Sequence, residues 1–271
     1  MGYDISYHPI STKEMNEWYF EHLSEAVRED FAELEILGKN KGVNEFYISK
    51  YIDTMKTAAQ TKDSDNFEKT HAYYLAVVQG FFACYYYTRG TAFSSLVKEK
   101  PEMKRFVCSW NQVKPSFIAC PVSDTLSENY SGGIYIGEEQ ARELLSSYEN
   151  GNRERQIVLD FYEQNSPVFI KALRDAVKQQ RGLMEASEVV EPNPLDLNES
   201  ASFSNLFNCD TEGALIYQKM TLSQLQEVAE REHVPLEEIL QNTSYNKINI
   251  KAKKEEAVPK RSILSKLFSR K

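Results

Sequence analysis

The chain has 271 residues, 41% hydrophobic and 27% charged, enough apolar material for a sizeable core and too much for wholesale disorder. Net charge is −8, but residues 251–271 hold eight Lys and Arg against Glu255 and Glu256, leaving −14 for residues 1–250. So acidic a body repels phosphate backbones, which excludes nucleic acid as its partner and favours a basic protein.

In chain order, Tyr3, Ile5 and Tyr7 alternate with Asp4, Ser6 and His8, which predicts a short strand ended by Pro9. Ser11 and Glu14 have capping-box spacing and open a helix through Trp18, Tyr19 and Leu23. Ala26, Phe31, Leu34 and Leu37 continue the helical period until Gly38. A further helix is predicted over about 43–59, with Phe46, Ile48, Tyr51, Ile52 and Met55 on its buried side. Asp65 and Glu68 form a second capping box before the most apolar element, 67–87. Its apolar residues surround the axis, and at about 16 residues it is shorter than the ~20 of a membrane span, so a core helix is expected.

From 106 to 136 prolines interrupt the pattern, and Ser131-Gly132-Gly133 turns into a predicted strand at Ile134-Tyr135-Ile136. Helices follow from Glu138 to about Tyr148 and from Arg153 to Tyr162. A third begins at Ser166-Pro167 and closes at Gly182. Residues 185–202 are acidic, proline-bearing and aperiodic, and read as a linker or long loop. Thr221 and Gln224 form a third capping box for a helix over 221–232, and Pro235 starts a shorter one over 236–242. The expected fold is mainly α, a multi-helix domain (1–184) with two to four short strands. A small helical subdomain (203–242) is expected to pack on it, before a disordered basic tail (243–271).

The chemistry-bearing residues are sparse. Cys84, Cys108, Cys120 and Cys209 form no CxxC pair, and His8, His22, His71 and His233 lack metal-ligand spacing, so neither metal nor cofactor is expected. No secretory signal opens the chain, and Gly2 fits a myristoylation pattern only loosely. Tyr130-Ser131-Gly132-Gly133 offers backbone N–H groups to an anion but matches neither a nucleophile elbow nor a phosphate loop. Arg89, following an aromatic run, needs a carboxylate or carbonyl partner, either stapling the core or facing a pocket. Asp4, Tyr7, His8 and Arg89 are the candidate catalytic set, since a His beside a carboxylate can act as a general base. The helices at 222–232 and 236–242 have helix-turn-helix spacing, yet Glu237 and Glu238 are acidic where phosphates would lie.

At the C-terminus, Ile263, Leu264, Leu267 and Phe268 share one helical face, with Lys266, Arg270 and Lys271 around it. That pattern suits an anionic membrane surface or a partner's groove.

Three stretches, MGYDISYHPIS, YYYTRGTAFS (85–94) and YSGGIYIGEEQ (130–140), resemble a family of bacterial cytosolic proteins of uncharacterised activity, over roughly the first two-thirds of the chain. The resemblance implies a bacterial cytoplasmic setting. The leading expectation is a non-catalytic partner-binding protein, of the toxin-neutralising immunity kind, occluding a basic partner. The alternatives are an enzyme with a dispersed polar site, and an adaptor held at the inner membrane by residues 260–271.

Overall fold

A computed structural model describes residues 3–28 and 30–242. The chain is mainly α with a minor sheet. Strands β1 (Asp4–Ile10), β2 (Tyr85–Arg89), β3 (Gly132–Ile136) and β4 (Gly182–Ser187) form most of that sheet. The two-residue strands are β5 (Val190–Glu191), β6 (Ala201–Ser202) and β7 (Cys209–Asp210). The five-stranded sheet has the order β3-β4-β1-β2-β7, antiparallel except for β2 with β7, and β5 pairs with β6 apart from it.

The helices are α1 (Thr12–Trp18), α2 (Leu23–Val27), α3 (Ala32–Asn40), α4 (Glu45–Ala58), α5 (Tyr73–Phe82) and α6 (Phe93–Glu99). They continue with α7 (Trp110–Val113), α8 (Glu138–Glu149), α9 (Arg153–Tyr162), α10 (Ser166–Lys178), α11 (Thr211–Glu232) and α12 (Leu236–Asn242). Side chains alternate along a strand, so each face of the sheet has its own core. Tyr135, Met184 and Ala186 pack under α1, α4 and α5 with Trp18, Tyr51 and Leu75. Ile5, Tyr7, Ile134 and Leu183 pack on the other face under α6, α8, α9 and α10 with Phe93, Leu144, Val158 and Phe169. Helical layers therefore cover both faces, and β1 and β4 are central.

The Ser11–Glu14 capping box forms with both reciprocal bonds, and Glu14 is further held by Arg181, whose Nε donates at 2.7 Å. Asn44 caps α4 by accepting from the Phe46 N–H at 2.9 Å. Helices α8, α9 and α10 begin within a residue of the predicted positions.

Several expectations are corrected. The element 67–87 is not one helix. A π-helical turn (Glu68–Ala72) leads into α5, the backbone turns extended at Ala83, and Tyr85–Arg89 is a strand. A strand buried on both faces is apolar all round, so it prolongs the pattern of a buried helix without a break. Asp65 and Glu68 make no capping box. Glu68 is fully buried and accepts instead from the N–H groups of Ser123 at 2.8 Å and Asp124 at 2.6 Å. Pro9 does not end β1, which pairs with β4 as far as Ile10–Gly182. The ladder to β2 stops at Tyr7–Tyr86, so proline occupies a stretch paired on one side.

Gly182 opens β4 rather than closing a helix, because the Tyr135 ring occupies the space where a Cβ would project. Residues 185–187, read as the start of a linker, are buried in the central strand β4. The stretch beyond is also anchored: Val189, Val190 and Asn193 are buried, and Ser204 Oγ donates to the Val77 carbonyl at 2.6 Å. The helix expected from Thr221 begins ten residues earlier, where Asp210 accepts from the Glu212 N–H at 3.1 Å. Its first turns pack on β2, with Gly213 against the Tyr87 carbonyl.

Candidate functional site

Cross-strand register settles which of Asp4, Tyr7, His8 and Arg89 meet. Asp4 lies opposite Arg89, and Arg89 NH1 donates to Asp4 Oδ1 at 2.5 Å. Tyr87, two residues back on the same face, donates its hydroxyl to the same oxygen at 2.6 Å. The Arg89 guanidinium also sits 4.9 Å from the centre of the Tyr217 ring on α11. Burial raises the Asp4 carboxyl above its ordinary value, opposed by the Arg89 charge and the Tyr87 bond. This cluster ties β1, β2 and α11 together, the core staple that an arginine after an aromatic run was expected to make.

His8 shares that face but lies four residues along β1, about 13 Å from Asp4 at strand spacing. It is fully buried and stacked on Tyr85 at 5.0 Å. Gln79 donates its amide N–H groups to the Pro9 and Cys84 carbonyls, so its Oε1 accepts from His8 Nδ1–H at 2.7 Å. That fixes the tautomer, and His8 Nε2 accepts from Ser6 Oγ at 2.8 Å. Burial lowers the His8 pKa to about 4, leaving a neutral ring with both nitrogens engaged. Tyr7 points to the opposite face. There its hydroxyl contacts Tyr162 Oη at 2.6 Å, donates to the Thr91 carbonyl at 2.9 Å and accepts from the Phe93 N–H at 3.0 Å. Of the four residues, the fold joins only Asp4 and Arg89.

The Gly-Gly stretch makes room for a carboxyl group of the chain itself, whose donors come from outside residues 130–133. Glu185 of β4 is fully buried and accepts from the Ile134 N–H at 3.2 Å and from the Ser94 N–H at 3.1 Å, with Ser94 Oγ also on Oε1. A Cβ on Gly133 would overlap this carboxylate. Glu185 therefore joins the first turn of α6 to β3. Burial raises its pKa, and the bonds from Ser94 and Ile134 oppose that rise.

Glu188 follows β4 in a left-handed conformation (φ 60°), accepts from the Asp4 N–H at 3.4 Å and donates its own N–H to the Asp4 carbonyl at 2.7 Å. Burial first, then the nearby Asp4 and Glu191 charges, raises its pKa to about 7. The folded state thus holds this proton above the ordinary value of 4.5, and the associated stability is present below pH 4.5 and lost as pH rises through 7. His8 and His71, both lowered to about 4, contribute the opposite slope below pH 6.5. The Glu188 contribution is therefore read as a difference between proteins. Glu188→Gln should melt higher relative to wild type at pH 8 than at pH 4.5, by differential scanning calorimetry. An equal offset at both values would remove Glu188 as a titrating group in this range.

A separate groove lies away from these residues. A groove of about 630 Å³ between the start of α4 and residues 205–208 is floored by Tyr47, Phe81 and Phe82. Phe46 (61% exposed) and Phe207 (89% exposed) line it as well. Both are held by their backbones. Asn44 and Asn205 cap their N–H groups, and Asn208 Nδ2 donates to the Gly80 and Phe81 carbonyls at 3.0 and 3.2 Å. A second hollow of about 400 Å³ is lined by Tyr73, Tyr74 and Phe203. Sequence reasoning assigned Phe46 to the buried side of its helix and did not single out Phe207. A lone Phe in a polar turn (Asn205-Leu206-Phe207-Asn208) was the only available signal.

The four cysteines are free thiols, and burial raises that of Cys209 to about 12. Among the described residues no group of His, Cys, Asp and Glu is arranged to hold a metal ion, and no helix is long and apolar enough to cross a membrane. Ile263, Leu264, Lys266, Leu267, Phe268 and Arg270, and the tail 243–271 as a whole, lie outside the described residues. No protein-family model, curated protein or solved structure matches this chain.

Proposed function

We propose that this chain is a cytoplasmic, non-catalytic partner-binding protein that occludes a basic protein domain, in the manner of a bacterial immunity protein. The observation that carries the reading is the pair of exposed phenylalanines, Phe46 and Phe207, on a groove floored by further aromatics. Apolar side chains this exposed cost solubility when uncovered, and aromatic anchors beside a pocket are the usual centres of protein interfaces. Their capped, backbone-fixed positions lower the ordering cost of association. The −14 charge of residues 1–250 supplies long-range steering towards a basic partner. The engagement of His8 and Tyr7 in buried structural bonds also favours a binding role over a catalytic one.

Purification from native cytoplasm at low and at high salt tests the reading. One stoichiometric basic protein is expected, retained at low salt and lost as screening grows. Phe207→Asp should reduce its affinity by about a hundred-fold, as removal of an interface anchor does, without changing the melting temperature. Retention of an acidic partner, or full affinity in Phe207→Asp, would refute it.

A further inference from the structure

Among the described residues two histidines are buried, and they are bonded differently. His8 engages both ring nitrogens, as a structural histidine does. His71 engages one. It lies in the π-helical turn Glu68–Ala72, where the Ala72 N–H reaches back to the Phe67 carbonyl at 3.0 Å. Such widened turns are frequent at functional sites. His71 is 6% exposed, and the Tyr19 and Phe67 rings each lie 5.9 Å from its own, so the imidazole is held rigidly.

Tyr19, just beyond α1, is fully buried, and its hydroxyl meets His71 Nδ1 at 2.7 Å. That hydroxyl has no other acceptor among the described residues, so it donates and Nδ1 accepts. Burial, reinforced by the Lys114 charge and opposed by that of Asp65, lowers the His71 pKa to about 4. The neutral ring therefore carries its one proton on Nε2. Nε2 makes no hydrogen bond with any described residue, and it is not sealed from solvent.

His71 lines a pocket of about 210 Å³, and the unpartnered Nε2–H is the group it can offer there. Leu23, Ala58, Ala59, Phe117 and Ile118 supply apolar walls. The Lys114 ammonium donates to the Ile118 carbonyl and fixes that wall. An apolar cavity of about 150 Å³ takes a benzene, so this pocket has room for one ring with a small substituent. The polar anchor decides the substituent. A fixed N–H calls for an acceptor oxygen. The charges of Asp63, which lines the pocket, and of Asp65 outweigh that of Lys114 and oppose an anion.

We propose that this pocket binds a small uncharged molecule, one ring bearing a carbonyl oxygen, with His71 Nε2–H donating to that oxygen. The Tyr19 hydroxyl sets the tautomer that makes the donation possible. The pocket shares no residue with the Phe46–Phe207 groove, so either reading can fail alone.

Nitrogen NMR of the imidazoles and a titration with acetophenone, both on the full chain, test the proposal, with toluene and benzoate as comparators. Unliganded His71 should carry its proton on Nε2, and the reverse tautomer overturns the donor assignment. Acetophenone should bind saturably, perturbing His71 and the amides of Ala58, Ala59 and Ile118. It should bind about five-fold tighter than toluene, the effect of one net hydrogen bond, although toluene is the more apolar. His71→Asn keeps an acceptor for the Tyr19 hydroxyl and removes the outward N–H. It should weaken acetophenone by about the same factor and leave toluene unchanged. The comparison of ligands on wild type stands even if that variant does not fold. Toluene bound as tightly as acetophenone, or no saturable binding, overturns the proposal. Tighter binding of benzoate overturns it in favour of a carboxylate ligand.

Discussion

Replacing Glu185 with alanine is expected to lower the free energy of unfolding by about 3–5 kcal/mol, the sum of a few orphaned buried groups. Glu185 accepts from two backbone N–H groups in different elements, Ser94 at the start of α6 and Ile134 in β3, besides the Ser94 hydroxyl. Truncation leaves those donors without partners in a site closed to water, and each such loss costs about 1–3 kcal/mol. A cavity adds to the cost, because the space that Gly133 leaves open is filled by this side chain. Glu185→Gln keeps one acceptor oxygen and should lose distinctly less. Urea denaturation checks both variants. A Glu185→Ala protein within about 1 kcal/mol of wild type, smaller than the cost of a single orphaned donor, would mean that the carboxylate is not the link between α6 and β3.

Gly213→Ala is expected to cost about 2–4 kcal/mol, at the upper end for inserting a methyl group into a packed contact. A Cβ there overlaps the Tyr87 carbonyl, a backbone atom that cannot rotate away, so α11 must lift from β2. Lifting it also draws Tyr217 from the Arg89 guanidinium and from the Tyr87 ring, 6.2 Å between centroids. Loss of amide protection along β2 should accompany the fall in stability, since α11 shields that side of the sheet. Gly151→Ala is the control. Its φ of 74° strains any side chain, but nothing lies within 4 Å of the added carbon, so a loss of about 1 kcal/mol is expected. Equal losses at both positions would show that backbone conformation, and not the α11–β2 contact, sets the cost at Gly213.

Several local signals were legible, although the Asp65–Glu68 and Thr221–Gln224 boxes were not among them. The Ser11–Glu14 box, the Arg153–Tyr162 and Ser166–Lys178 helices and the mainly α composition depend on residues within a turn of one another, and all four are present. The reading lost its way where burial hides period. Tyr85–Arg89 looked like more of α5 because a strand enclosed on both faces has no polar side to alternate. In β4 the opposite happened. Glu185, Ser187 and the following Glu188 made a central strand resemble a linker, since their polarity is satisfied by partners the sequence does not place nearby.

The candidate site divides along the same line. The acidity of the body and the basic amphipathic pattern of residues 260–271 follow from composition and spacing alone. The pairing of Asp4 with Arg89, the enclosure of His8 by Gln79 and Ser6, and the exposure of Phe46 and Phe207 do not. These depend on cross-strand register and on which helix covers which face. Both are set by contacts between residues tens to hundreds of positions apart, and a one-residue shift of register in β1 would turn Asp4, Ser6 and His8 to the other side of the sheet.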